Sequence, residues 1–102
     1  MKYLLLGAGL QGTAIAFDLL EHAPDTAELV VVDRSERALG RLRSRFTDQR
    51  LRTELGDATD PAFLTPLVEA SHCVISAITY WHNVDLAKAA IAGGSHFLDL
   101  GG

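Results

Sequence analysis

Residues 7–12 read GAGLQG, three glycines at GxGxxG spacing between the apolar run KYLLLG (residues 2–7) and the helical pattern QGTAIAFDLLEHA (residues 11–23). Glycine triplets alone are common, and position gives this one its weight. It stands where a strand turns into a helix, and Asp33 follows about 20 residues after the last glycine, at the end of the next strand. Each glycine has a physical task. Gly7 permits a tight turn off the strand, Gly9 lets a pyrophosphate approach the backbone with no Cβ in the way, and Gly12 lets the helix lie close to the sheet. The N–H groups of Leu10, Gln11 and Gly12 then face the phosphates at the positive end of the helix dipole. The competing reading is a turn that needs glycine only for its geometry.

Outward from this turn the chain alternates. ELVVVD (residues 28–33) is a second strand, rich in β-branched residues. From Ser35 the pattern is helical again, with Ala38, Leu39, Leu42 and Phe46 on an apolar stripe and Arg37, Arg41 and Arg45 on another face. RTELGD (residues 52–57) is a shorter, poorer strand. Asp60 and Pro61 form a helix start, a capping carboxylate followed by a residue whose missing N–H does no harm in the first turn. Pro66 would break that helix, so the spacing predicts an irregular turn over Pro61 to Leu64 and a restart at Thr65. HCVISAI (residues 72–78) is a fourth strand, and Asn83 caps a helix, VDLAKAAIA (residues 84–92), that Gly93 and Gly94 end. HFLDL (residues 96–100) is the fifth strand. Strands alternating with helices predict a Rossmann-type doubly wound parallel sheet, five strands in the order 3-2-1-4-5, stopping before a sixth.

Composition agrees with one domain over residues 1–102: 48% of the residues are apolar and 22% charged. No apolar run approaches the ~18 residues that would cross a bilayer, and the start of the chain lacks a signal-peptide pattern. These features predict a cytoplasmic chain with no membrane partner. The single cysteine, Cys73, excludes an internal disulfide and reads as a small apolar core residue. The net charge of -4 argues against nucleic acid. Seven of the nine basic side chains nevertheless fall between Arg34 and Arg52.

The acid at the end of the second strand bears on the cofactor. Asp33 is placed to accept hydrogen bonds from the adenosine ribose of NAD, and it would repel the 2′-phosphate of NADP. Arg34, next to it, is a guanidinium that could hold that phosphate, or a solvated surface charge. Asp33 favours NAD, with NADP possible.

Two further stretches narrow the choice among owners of this fold: GDATDPAFL (residues 56–64) and the segment from Cys73 to Gly102. The second contains a Ser76-Ala77 turn reaching Tyr80, a helix from Asn83 to Gly93, and the strand from His96 to Leu100. With GAGLQG, this resembles the N-terminal coenzyme domain of the saccharopine dehydrogenase family, including its lysine 6-dehydrogenase-like members. The resemblance implies that Gly7, Gly9, Leu10, Gln11 and Gly12 lie at the pyrophosphate and Asp33 with Arg34 at the adenosine ribose. It places Asp57 and Ala58 beside the adenine, and Ser76, Ala77 and Ile78 under the nicotinamide ribose. Tyr80, Trp81 and His82 would follow in a loop toward the substrate; each also reads as an ordinary cleft cover or solvent-facing side chain. The other histidines, His22, His72 and His96, receive no role.

The family implies hydride exchange at the carbon–nitrogen bond of an amino acid, with the substrate domain following the coenzyme domain. The expectation is therefore the front part of a longer enzyme, with no catalytic residue and no metal site of its own, binding coenzyme without turnover. Its fifth strand would be an open edge able to pair with a second copy. A reading from another class is a regulatory domain of the kind that senses NAD or ATP in potassium transport, which VVVDRSERALGRLRSRF (residues 30–46) also resembles. Those sensors continue with an acidic segment where this chain has ITYWHNVD (residues 78–85).

Overall fold

The structure, a computed structural model, describes residues 1–78, 88, 92 and 94–99. Strand β1 (Lys2–Leu6) lies in the middle of the sheet, between β2 (Glu28–Asp33) and β4 (Cys73–Ser76). The outer strands are β3 (Leu51–Leu55) beside β2 and β5 (His96–Asp99) beside β4. All four pairings are parallel and the order is β3-β2-β1-β4-β5, as the alternation predicts.

The continuous apolar runs have a simple cause, because both faces of the sheet are covered. On one face, Leu5, Val31 and Ile75 sit in register and pack with Ala16 and Leu20 of α1 (Leu10–Glu21) and Leu39 and Leu42 of α2 (Glu36–Arg45). On the other, Leu4, Val30 and Val74 pack with Leu64 and Val68 of α3 (Pro61–Glu69). Truncating any of these leucines to alanine removes burial and leaves a void, about 2–5 kcal/mol. Cys73 is buried in the first of these layers, and burial pushes its thiol pKa up.

Helix α3 departs from expectation, since Pro61–Glu69 is one continuous helix with Pro66 inside it. The cost is confined to one turn. Proline has no N–H for the carbonyl of Ala62, an exposed residue whose oxygen water can reach. Leu64 and Val68, one on each side of Pro66, are both buried against the sheet and hold the helical path. The start at Asp60 is as expected, its side chain accepting from the Ala62 amide at 3.1 Å.

The helix expected to follow Asn83 lies largely outside the described residues; Lys88 and Ala92 are helical. Tyr80, Trp81, His82, Asn83, Gly93, Leu100, Gly101 and Gly102 also lie outside them. Because β1 connects to β2 on one side while β4 continues on the other, the sheet order reverses between β1 and β4. The carboxyl ends of these strands are where open α/β sheets bind ligands.

Candidate functional site

The glycine-rich turn is built tightly at both ends and left open in the middle. Gly7 has φ +109°, a conformation that side chains strain to adopt, and a Cβ there would also stand 3.1 Å from the Ala77 carbonyl oxygen. A Cβ on Gly12 would lie 2.0 Å from the Gly7 carbonyl oxygen, so α1 can approach the turn only with glycine there. Gly9 differs from both: its backbone is ordinary and a Cβ would meet nothing within 4 Å. Neither packing nor backbone shape accounts for a glycine at position 9, whereas an incoming phosphate group would use that space. This favours the ligand-binding reading of GAGLQG over a purely geometric one.

The helix starts differ in the same sense. The α2 start is capped by Ser35, whose Oγ accepts from the Ala38 amide at 3.1 Å, and α3 is capped by Asp60. At α1 the cap position is Gly9, with no side-chain cap and no acid in the first turn. The first helical bond runs from the Thr13 amide to the Gly9 carbonyl, 2.9 Å. Ahead of it stand the amides of Leu10, Gln11 and Gly12, donors that a phosphate could satisfy. The side chains of Leu10 and Gln11 are exposed, Leu10 by 93%.

Beside the turn, Val32, Asp33, Arg34, Asp57, Ala58 and Ile78 line a cleft of about 170 Å³. Four of these are predicted site residues brought together from the second and third strand ends, and Ile78 joins them from the fourth. The volume is below the ~300 Å³ of a small-ligand pocket, which suits one end of a dinucleotide rather than the whole. Ala77 donates its amide to the Leu6 carbonyl at 2.8 Å, which sets it against Gly7. Ser76 is buried at the end of β4 and does not line the cleft. A larger groove of about 620 Å³ opens between α1 and α2, lined by Thr13, Gly40 and Arg41 among others, and none of the predicted site residues lines it.

Two lining residues, Gly56 and Thr59, carry no sequence signal specific enough to single them out. Gly56 is needed for space, since a Cβ there would come within 2.4 Å of the Phe63 ring. Thr59 is fixed to Asp57, which accepts from its amide at 2.8 Å and its hydroxyl at 2.7 Å.

Asp33 has partners that the sequence does not reveal. Its Oδ2 accepts from the Ala8 amide at 2.7 Å and its Oδ1 from the Ser35 amide at 2.8 Å. Arg34 is exposed and forms no ion pair among the described residues, unlike Arg43 with Glu36, Arg50 with Asp48 and Arg52 with Glu54.

Compared with known families, residues 3–101 match the model of the saccharopine dehydrogenase NADP binding domain. The chain belongs to this family. Membership gives the domain a nicotinamide dinucleotide as its ligand and leaves the potassium-transport sensor reading without support. Among solved structures, the domain is similar to PbgP3 protein from Burkholderia pseudomallei (TM-score 0.76, 19% identity), covering 96% of this chain and 38% of that one. It is similar to apo saccharopine dehydrogenase (L-Glu forming) from Saccharomyces cerevisiae (TM-score 0.73, 23% identity), covering 96% of this chain and 21% of that one. An isoflavone reductase gives a TM-score of 0.72 at 21% identity, over 94% of this chain and 34% of that one. The domain thus spans well under half the length of each of these neighbours, and at such identities they share its fold. No helix among the described residues is long and apolar enough to cross a membrane.

Proposed function

We propose that this domain binds NADP(H) and forms the coenzyme part of a saccharopine dehydrogenase-like enzyme acting at a carbon–nitrogen bond of an amino acid. The observation that carries the binding mode is the uncapped start of α1 beneath the open space at Gly9. In this reading Gly7, Gly9, Leu10, Gln11 and Gly12 hold the pyrophosphate. Asp33 and Arg34 sit at the adenosine ribose, Asp57 and Ala58 at the adenine, and Ala77 and Ile78 at the nicotinamide ribose, while Ser76, buried at the end of β4, supports them from within the sheet. When bound, the nicotinamide supplies hydride exchange. The residues of this chain bind and orient the dinucleotide.

NADP replaces NAD as the preferred cofactor. The matched family is described by NADP, and two features of this chain support that choice. Both carboxylate oxygens of Asp33 already accept backbone amides, which offset part of the negative charge that would repel a 2′-phosphate. Arg34, exposed at the same cleft and in no ion pair among the described residues, supplies the cation for it.

The same proposal gives residues 1–102 the coenzyme role, with substrate recognised elsewhere in a longer enzyme. The support is that the domain spans 21% of the yeast saccharopine dehydrogenase. A cytoplasmic setting fits the one free cysteine, Cys73. The outer position of β5 and the exposure of Leu98 support self-association through that strand. The deciding measurement is a titration of the isolated domain with NADPH, NADH and ATP by calorimetry. NADPH should bind most tightly, and ATP binding with no response to either dinucleotide would sink the coenzyme reading.

A further inference from the structure

Asp33 is hydrogen-bonded to the strand-to-helix turns that follow β1, β2 and β3. Its Oδ2 accepts from Ala8 in the glycine-rich turn at 2.7 Å, and its Oδ1 accepts from Ser35 at the start of α2 at 2.8 Å. Its carbonyl accepts from the Gly56 amide after β3 at 3.0 Å. Ala8 is only 3% exposed, so water could not replace the carboxylate on its amide without opening the turn. The neighbouring Gly7 amide is already used on the Val32 carbonyl at 2.8 Å.

We infer that Asp33 is a positioning residue for the glycine-rich turn, so that the pyrophosphate of either dinucleotide depends on it. Charge-assisted bonds to backbone amides are stronger than neutral ones, and here they fix the loop whose next residues, Gly9 to Gly12, form the phosphate cradle. The carboxylate therefore acts on the pyrophosphate through the Ala8 amide. Both dinucleotides carry the same pyrophosphate, so both depend on this latch. This inference rests on the coenzyme reading above for its binding consequence, and on the geometry alone for the latch.

The test uses Asp33→Asn, which keeps the shape and one carbonyl acceptor but turns an NH₂ group toward one of the two amides. In the ligand-free domain, the amide proton resonances of Ala8 and Ser35 should move upfield, and Ala8 exchange should quicken. NADPH and NADH should each weaken, by about tenfold, as expected for loss of a bond to a charged group and of preorganisation. Asp33→Ala should weaken both further. Should NADH weaken tenfold while NADPH holds or tightens, Asp33 is a selector and the inference is overturned. Unmoved Ala8 and Ser35 resonances overturn it equally. If the unaltered domain binds neither dinucleotide, the coenzyme reading fails, while the two amide resonances still decide the latch.

Discussion

Gly12 and Gly7 are in contact so close that a Cβ on the first would stand 2.0 Å from the carbonyl oxygen of the second. The obstacle is backbone, which cannot rotate aside as a flexible side chain could. Gly12→Ala should therefore push α1 off the turn, at a cost of about 3 kcal/mol, the upper part of the range for overpacking. For a domain of this size that is a fall in melting temperature of roughly 12–24 °C. Calorimetric unfolding with a loss under 1 kcal/mol would show that the contact relaxes freely.

Gly9 separates binding from stability in the same hexapeptide. A Cβ there meets no protein atom within 4 Å and the backbone is already in a region open to alanine. Gly9→Ala should cost no more than about 1 kcal/mol, the difference between glycine and alanine at a helix cap. The methyl group would instead occupy the space assigned to pyrophosphate. NADPH affinity should fall by more than about tenfold, a loss above 1.4 kcal/mol, measured by quenching or calorimetry on a still-folded protein.

The choice of cofactor falls on Arg34. Removing from the cleft a guanidinium that has no ion pair among the described residues should cost NADPH about tenfold in affinity, within the range for a bond to a charged group, and leave NADH nearly unchanged. Arg34→Ala should also flatten the salt dependence of NADPH binding. Equal losses for both nucleotides would assign the 2′-phosphate to some other group.

Asp48 and Arg50 give the fold a defined acid sensitivity. Arg50 donates to Asp48 from its guanidinium at 2.8 and 3.0 Å and from its own amide at 2.9 Å. These hydrogen bonds, side chain first, hold the Asp48 pKa down to about 2, against a smaller opposing effect of burial. The folded pKa lies below that of the unfolded chain, so this stabilisation is complete above the ordinary aspartate value of about 3.9 and is lost as pH falls toward about 2. Urea midpoints should drop across that window, and Asp48→Asn should flatten the drop. Arg50 also donates to the Leu20 carbonyl at 2.6 Å, so Arg50→Ala should loosen the end of α1 at every pH.

Much of the fold was legible because strand and helix periods are local properties of a chain. KYLLLG and ELVVVD declare strands covered on both faces, and the register of Leu4 with Val30 and Leu5 with Val31 bears this out. The place of GAGLQG between β1 and α1, and the position of Asp33 at the end of β2, follow from the same local pattern. Pro66 misled because the rule for proline is also local: it states the cost to one turn, while the burial of Leu64 and Val68 that outweighs it comes from the sheet.

By itself, then, the sequence determined the order of elements, the glycine-rich turn and the residue types gathered at the strand ends. Only the tertiary structure decided what those residues touch. Asp33 reads in sequence as an acceptor for ribose; in the fold its two oxygens meet the amides of Ala8 and Ser35. Gly56 falls within RTELGD, read in sequence as a strand, and in the fold it lies against the Phe63 ring. Arg50 is in sequence only one of seven clustered basic residues, and in the fold it reaches Leu20. In the contacts to Ala8 and Leu20 the partner stands 25 and 30 residues away along the chain, beyond the reach of any helix or strand period. Parallel pairing of β1 with β2 and of β2 with β3 is what brings such groups within a hydrogen bond of one another.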